Sequence, residues 1–306
     1  MVKNIKPLPW VIIGQGAIGL LWYSHFYKNS KTYGAYLLKY GNAHPQQNIN
    51  FTHINGISED IPRQEIPLKS LVSANNILIC VKCYQINQVI NNISPYLKKG
   101  VKLILCHNGM GGLTDLSKKL LRGYTVLTLL TTHGSLKSSS TKIKHTGLGQ
   151  SELGLAHGEV GNVDKNNVIT QLNSVMPTLA WCDNIKEKQW LKLAINCVIN
   201  PITAIYDIEN GQILADKFVR LIYDILSELI SVARCEGIDL ELNSLTKVVL
   251  QVADKTAKNS SSMRCDRQAN RKTEIAYING YIQKLGLHYK VATPVNDKLV
   301  AQIQAL

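Results

Sequence analysis

The first half of the chain alternates short apolar runs with amphipathic stretches. Residues 10–13 form an apolar, β-branched run that predicts a strand, and the pattern over residues 17–28 predicts a helix. Further strands are predicted at 33–38, 77–81, 101–106 and 126–131, and helices at 86–94 and 113–121. Strands that alternate with helices indicate a parallel sheet covered on both faces.

The second half of the chain is dominated by helical periodicity. Residues 143–145 and 151–155, separated by a Gly-rich stretch, predict an antiparallel hairpin that closes the α/β region. After about Cys182 we expect helices at 186–199, 218–235, 245–259, 271–285 and from Pro294 onward. The chain is therefore expected to divide near residue 183, and a cleft between two such domains is a common ligand site.

A glycine pattern stands at the first junction between strand and helix, as Gly14-Gln15-Gly16-Ala17-Ile18-Gly19. GxGxxG alone is weakly specific, but a strand before it and a helix after it are the context in which it binds a dinucleotide. Gly14 would permit the tight turn, Gly16 the close approach of a pyrophosphate, and Gly19 close packing of helix on strand. We therefore predict an α/β protein in which residues 1–183 form an N-terminal Rossmann-type dinucleotide-binding domain. Residues 184–306 form a C-terminal all-helical domain for substrate and catalysis.

The second predicted strand bears on the choice of coenzyme. An acidic residue about 20 positions after the glycines would accept from the free ribose 2′-hydroxyl of NAD. The run here is Tyr36-Leu37-Leu38-Lys39-Tyr40, without a carboxylate. Lys39 could pair with a 2′-phosphate, which favours NADPH/NADP over NADH. The alternative is that Lys39 is a solvated surface lysine.

Three polar side chains, those of Lys192, Asn196 and Asn200, recur at intervals of four within a predicted helix. Each step of four residues turns only ~40° from alignment, so the three share one face. Their neighbours are apolar, and unpaired polar groups in a core would be costly. The face is therefore either exposed to solvent or part of a polar site, and the apolar neighbours and Pro201 favour the site.

A second polar cluster lies downstream, around Asn259, Ser262 and Glu274. Judged alone, the Ser-rich stretch over residues 259–263 predicts a loop and a helix cap. By the same reasoning, Arg271 and Glu274 would be an exposed i,i+3 pair.

Composition narrows the class of protein. Hydrophobic residues make up 45% and charged residues 18% of 306 residues, which are values of a globular protein, and no apolar run reaches the ~18 residues of a membrane span. The net charge of +13 (34 − 21) comes from scattered basic residues, which favours attraction of small anions or surface solvation over nucleic-acid binding. Seven cysteines without zinc-site spacing predict unpaired thiols, a cytoplasmic location and no metal site.

Further motifs follow the glycines in a fixed order. They are Val81-Lys82 with Gln85; His107-Asn108-Gly109-Met110-Gly111; Thr131-Thr132-His133; Lys192, Asn196 and Asn200-Pro201; Asn210-Gly211; Asn259 with Ser261-Ser262-Met263; and Thr273-Glu274-Ile275. In these motifs, over nearly its whole length, the chain resembles the ketopantoate reductase (2-dehydropantoate 2-reductase) family. The resemblance implies reduction of 2-dehydropantoate to (R)-pantoate by NADPH, in pantothenate and coenzyme A biosynthesis.

The resemblance also implies roles for individual residues. Lys192 is similar to the family's catalytic lysine, a general acid, and Glu274 to its catalytic glutamate. Four further residues match substrate-contacting positions: Asn196, Asn200, Asn259 and Ser262. Lys82 and Asn108 match residues beside the coenzyme, and Asn108 also reaches the substrate. The chain departs from the family at Lys39, where arginine is common, and at Ala276, where an acidic residue is usual.

Two other functions are compatible with the sequence. One is reduction of a different 2-oxo acid by the same chemistry, and the other is an NADP-binding regulatory protein without turnover. The presence of both Lys192 and Glu274 argues against the second. We expect the protein to bind a small 2-oxo acid, and to bind neither nucleic acid nor a membrane. We expect His107 and His133 to be supporting groups and not catalytic bases. Apolar helical positions could serve either a core or a homodimer face.

Overall fold

In the computed structural model, the protein is described over residues 8–29, 34–39, 47–113, 116, 121 and 123–306. The described residues form two compact units. The first takes in the chain up to His107 and from Leu113 to Ile185, and the second takes in Asn108–Gly112 and Lys186–Leu306. The division differs from a single cut near residue 183 because the short segment Asn108–Gly112 belongs with the second unit.

The first unit is built on two sheets. Its strands are β1 (Leu8–Ile13), β2 (Ala35–Leu38), β3 (Ile49–Thr52), β4 (Ser58–Ile61), β5 (Glu65–Ile66), β6 (Ala74–Ile79), β7 (Lys102–Leu105), β8 (Thr125–Thr131), β9 (Gly134–Lys137), β10 (Lys142–Gly147), β11 (Ser151–His157) and β12 (Leu179–Trp181). Eight strands form the larger sheet in the order β12-β11-β8-β7-β6-β1-β2-β5. All neighbours in it are parallel except β11 and β8, which confirms the predicted α/β fold.

The sequence of β1 is an unbroken apolar run because both faces of this strand are buried. Trp10, Val11, Ile12 and Ile13 are all fully buried, as expected for a central strand of a covered parallel sheet. Helix α1 (Ala17–Asn29) packs against this sheet, with the rings of Trp10 and Phe26 5.1 Å apart. Helices α2 (Ile86–Ile93) and α3 (Asn162–Val175) complete the described helices of this unit. The helix expected at 113–121 falls largely outside the described residues, and so does Tyr33.

The predicted hairpin of residues 143–145 with 151–155 is wrong. Strand β10 belongs to a separate four-stranded sheet of order β4-β3-β10-β9, while β11 pairs with β8 of the large sheet. The chain crosses from one sheet to the other at Gln150, whose backbone accepts from the Thr132 backbone N–H at 2.9 Å. Strand β10 instead forms a hairpin with β9, which directly precedes it, and local turn composition could not show which neighbour it would choose.

The second unit is helical. It contains α4 (Ile185–Tyr206), α5 (Val219–Cys235), α6 (Leu242–Lys255), α7 (Ser262–Gln268), α8 (Asn279–Tyr289) and α9 (Pro294–Gln304). Ser261 caps α7, its hydroxyl accepting from the Arg264 N–H at 3.1 Å, as the Ser-rich stretch predicted. No helix in the described parts of the chain is long and apolar enough to cross a membrane.

The helix predicted over residues 271–285 is wrong in its first part. Asn270 has a left-handed φ of 49°, and the Arg271 N–H donates back to the Asp266 carbonyl at 2.8 Å, which closes α7. A single 3₁₀ turn (Ile275–Tyr277) follows, and α8 begins only at Asn279. Glu274 therefore lies on a turn between helices.

Candidate active site

The glycine turn lies at the carboxyl edge of the large sheet, between β1 and α1. Gly14 has a φ of +101°, and a Cβ there would run into the Cys80 carbonyl oxygen, so protein geometry itself requires glycine. A Cβ on Gly19 would run into the Gly14 carbonyl oxygen. Helix α1 starts immediately, with the Leu20 N–H donating to the Gly16 carbonyl at 3.0 Å. Ala17 and Ile18 form its first turn and are half-buried.

Gly16 differs from the other two glycines of the motif. No described atom lies within 4 Å of a Cβ built on it, and Gly16 is exposed. Packing among the described residues therefore gives no reason for glycine here. The open space above the backbone fits the close approach of a pyrophosphate at the N-terminus of a helix.

Lys39 and Lys82 follow strands that end at the same edge as the glycine turn. Lys39 comes directly after β2 and is exposed, with its backbone N–H bonded to the Ile66 carbonyl at 2.9 Å. Lys82 comes after β6, which runs parallel to β1 with Ile79 opposite Ile13. Its backbone N–H donates to the Gln85 side chain at 3.1 Å, so the two residues of this motif cap one short turn.

The Gln15 side chain reaches from the glycine turn to the end of β2. Its amide Nε2 donates to the Glu65 carboxylate at 2.9 Å and lies 3.4 Å from the Leu38 carbonyl, while its Oε1 accepts from the Arg63 guanidinium at 2.9 Å. Arg63 and Glu65 escaped the sequence analysis because nothing in their local pattern links them to residue 15.

In the second unit, the polar face predicted on α4 is partly buried. Lys192 and Asn196 are half-buried, and Asn200 is only 5% exposed. The Asn196 amide Nδ2 is buried without a hydrogen-bond partner among the described residues. Full solvent exposure therefore does not explain this face. A buried, unpartnered amide donor beside a lysine is the arrangement expected of a site that awaits an oxygen-rich ligand.

The end of α4 is tied to the segment that carries Asn259 and Ser262. The Thr203 hydroxyl, one turn beyond Asn200, donates to the Ser261 hydroxyl at 2.7 Å. The Asn210 N–H donates to the Asn259 carbonyl at 3.0 Å, so the Asn210-Gly211 motif supports the same segment. Asn259 and Ser262 are themselves exposed.

Backbone contacts join the turn that follows Glu274 to the segment that follows Asn108. Glu274 is only 4% exposed and precedes the 3₁₀ turn that ends at Tyr277. The Met110 N–H donates to the Tyr277 carbonyl at 2.8 Å, and Gly109, with φ +78°, leaves no room for a Cβ against that same oxygen. Asn108, next in the chain, is half-buried, and Ala276 lies exposed on the turn.

A buried amide that sequence analysis missed supports the middle of α4. Pro201 lies inside this helix and has no N–H to offer the Cys197 carbonyl four residues earlier. The Asn279 Nδ2 donates to that carbonyl at 2.9 Å, and also to Asn296 at 2.9 Å. Asn279 thus replaces the missing helical bond between Asn196 and Asn200. Pro201 within a helical pattern was the available indication that such a donor was needed.

His133 belongs to a group of imidazoles in the first unit. His145 lies 3.2 Å from His25 and 3.3 Å from His133, nitrogen to nitrogen. Burial lowers the pKa of His25 and of His133 to about 4, so both are neutral at pH 7. Among the described residues no group of three or more side chains is arranged to hold a metal ion.

Two family models match the chain, one over most of its first part and one over its second part. The profile of ketopantoate reductase PanE/ApbA matches residues 10–158, and that of the ketopantoate reductase PanE/ApbA C terminal matches residues 184–306. The 2-dehydropantoate 2-reductase of Vibrio cholerae serotype O1 is 34% identical over 296 residues, which is 97% of each chain.

Solved structures share the fold over the same extent. A ternary structure of D-mandelate dehydrogenase with NADH and anilino(oxo)acetate gives a TM-score of 0.87 at 22% identity, over 97% of both chains. The 2-dehydropantoate 2-reductase of Geobacter metallireducens GS-15 gives 0.84 at 20% identity, over 97% of this chain and 99% of that one.

Proposed function

The chain belongs to the ketopantoate reductase family, and on that premise we propose that it reduces 2-dehydropantoate with NADPH, using Lys192 as the general acid. It is an oxidoreductase of the 2-dehydropantoate 2-reductase type, which converts ketopantoate to pantoate. The observation that carries the assignment of the site is the α4 face, where Lys192 lies one turn from Asn196, whose amide Nδ2 is buried without a hydrogen-bond partner among the described residues.

The residue types on this face suit reduction of a ketone. When bound, the reduced coenzyme supplies a hydride to the carbonyl carbon. The Lys192 ammonium stabilises the negative charge that develops on the carbonyl oxygen, and then donates the proton that completes the alcohol. Glu274, buried on its turn, orients the Lys192 amino group.

Neutral donors bind the rest of the substrate. Asn196 and Asn200 offer amide N–H groups to hydroxyl and carboxylate oxygens, and Asn259 and Ser262 add donors from the segment joined to the end of α4. The coenzyme is held by the glycine turn, by the two lysines that follow β2 and β6, and by one asparagine. These residues are Gly14, Gln15, Gly16, Ala17, Ile18, Gly19, Lys39, Lys82 and Asn108. In this proposal the residues up to 183 bind coenzyme and those from 184 onward bind substrate.

Partners and location complete the proposal. The protein acts on a small 2-oxo acid, without a nucleic-acid partner, as a biosynthetic enzyme of the cytoplasm. Light scattering tests whether the protein forms a homodimer, because it distinguishes a particle of 34.0 kDa from one of twice that mass.

The direct test is the initial rate of NADPH oxidation at saturating NADPH, measured over a range of concentrations of ketopantoate and of other 2-oxo acids, pyruvate and benzoylformate among them. We expect kcat/KM for ketopantoate to exceed that for each other acid by at least tenfold. A higher kcat/KM for another acid would show that this other acid is the preferred substrate. Binding of NADPH without turnover of any acid would leave a regulatory protein.

A further inference from the structure

Two cationic side chains contact the second residue of the glycine turn, and a third cationic residue follows the neighbouring strand. Arg63 donates to the Gln15 side chain at 2.9 Å, and the Lys137 ammonium donates to the Gln15 backbone carbonyl at 2.7 Å. Lys39 follows β2, whose last carbonyl, that of Leu38, lies 3.4 Å from the Gln15 amide nitrogen. The end of the second strand is the place where dinucleotide-binding folds read the ribose 2′ position.

Arg63 is held firmly and is almost completely buried. Only 6% of its side chain is exposed, its Nη2 donates to the Ser140 carbonyl at 2.8 Å, and its Nε has no hydrogen-bond partner among the described residues. Tyr23 fixes both neighbours of Arg63, because its hydroxyl donates to the Pro62 carbonyl at 2.6 Å and accepts from the Gln64 N–H at 2.8 Å. Burial raises the pKa of Tyr23 to about 12, so this clamp keeps its proton.

One carboxylate lies beside these cations. Glu65 accepts from the Gln15 amide at 2.9 Å and lies 3.8 Å from the Arg63 guanidinium. A carboxylate at the end of the second strand could accept from a free 2′-hydroxyl, as in NADH, and would repel a 2′-phosphate. Gln15 and Arg63 both contact this carboxylate, and the two cations at Gln15, Arg63 and Lys137, outnumber the single anion.

We propose that Arg63, positioned through Gln15, is a specificity-determining residue that recognises the coenzyme 2′-phosphate, and that Glu65 limits the preference it confers. The inference rests on the proposed function only in that the glycine turn binds a dinucleotide. The proposal adds a second cation to Lys39. This cation, Arg63, lies in the connection between β4 and β5 and not at the end of β2. Lys39 is an exposed lysine, whereas the planar Arg63 guanidinium is preorganised by its hydrogen bonds to Gln15 and Ser140.

The test measures binding of two nucleotides that differ only in the phosphate, 2′,5′-ADP and 5′-AMP, to the full chain by isothermal titration calorimetry. Arg63→Met should weaken binding of 2′,5′-ADP by about tenfold and change that of 5′-AMP by less than about twofold, since one charged hydrogen-bond partner of the phosphate is lost. Glu65→Gln keeps the bond from Gln15 and removes the negative charge. It should strengthen binding of 2′,5′-ADP by about threefold.

Lys99→Met, an exposed lysine of the same unit, is the matched control for net charge and should leave both affinities within about twofold. Equal loss of both nucleotides in Arg63→Met, or no loss of either, overturns the proposal. If Arg63→Met does not fold, Glu65→Gln decides: a selective gain for 2′,5′-ADP supports the proposal and an unchanged ratio overturns it. NADPH oxidation with ketopantoate, measured separately, shows whether the proposed reductase function fails independently.

Discussion

At the scale of single residues, Gly14 and Gly16 are glycines for different reasons. Gly14 has a left-handed backbone and no room for a side chain against Cys80, so its requirement comes from the protein itself. Gly16 has room on every described side, and under the proposed function its requirement comes from the nucleotide that the turn would bind. Stability and nucleotide affinity should therefore respond differently to the same substitution at these two positions.

We predict that Gly16→Ala leaves the free energy of unfolding within about 0.5 kcal/mol and weakens NADPH binding by at least about tenfold. Gly14→Ala, the matched control, should lower the free energy of unfolding by about 1–3 kcal/mol from backbone strain alone, and further from the clash with Cys80. Urea unfolding and fluorescence titration with NADPH give the two quantities. If Gly16→Ala binds NADPH with wild-type affinity, the pyrophosphate does not bind at this turn.

Some residues of the site could be predicted from the sequence, and others could not. The spacing of Lys192, Asn196 and Asn200 places them on one helix face whatever the rest of the chain does, because four residues make about one turn. Arg63 and Glu65 lie 48 and 50 residues from their partner Gln15, so no local pattern links them. Sequence periodicity thus finds residues that share an element, and it misses those that only tertiary packing brings together.

At the scale of elements, central strands and long helices were the parts that sequence could predict. Strand β1 is buried on both faces and α4 runs for 22 residues, so burial and period agree over their whole length. Three strands of the small sheet, β3, β4 and β9, were not predicted, because each has only four residues and is partly exposed. The hairpin error arises because β10 pairs with the unpredicted β9 just before it and with the distant β3, whereas β11 pairs with β8 of the other sheet.

At the scale of the whole molecule, the buried imidazoles make stability depend on pH. His25, His133 and His145 lie in one chain of ring contacts, and His25 also faces His53 and Lys28. Burial lowers the pKa of His25 and His133 from 6.5 to about 4. Between those values the unfolded chain binds more protons than the folded one, so stability is full above pH 6.5 and falls as pH drops toward 4.

We therefore predict that the melting temperature falls from pH 7 to pH 5, and that His25→Asn makes this fall shallower. Each proton taken up on unfolding contributes about 1.4 kcal/mol per pH unit to the slope. His288→Gln, at an exposed position on α8, should leave the slope unchanged. A melting temperature that is constant across this range would show that the imidazoles are not kept neutral by burial.

The central claim is that the amino group of Lys192 protonates the substrate oxygen, and the steady-state kcat of Lys192→Ala tests it most directly. Loss of a general acid should lower kcat by about 10²–10⁴-fold, while the melting temperature and NADPH affinity stay at wild-type values. Lys188→Ala, at an exposed position one turn earlier on the same helix, should retain full kcat. A folded Lys192→Ala enzyme that turns over ketopantoate within about twofold of the wild-type rate would contradict the account.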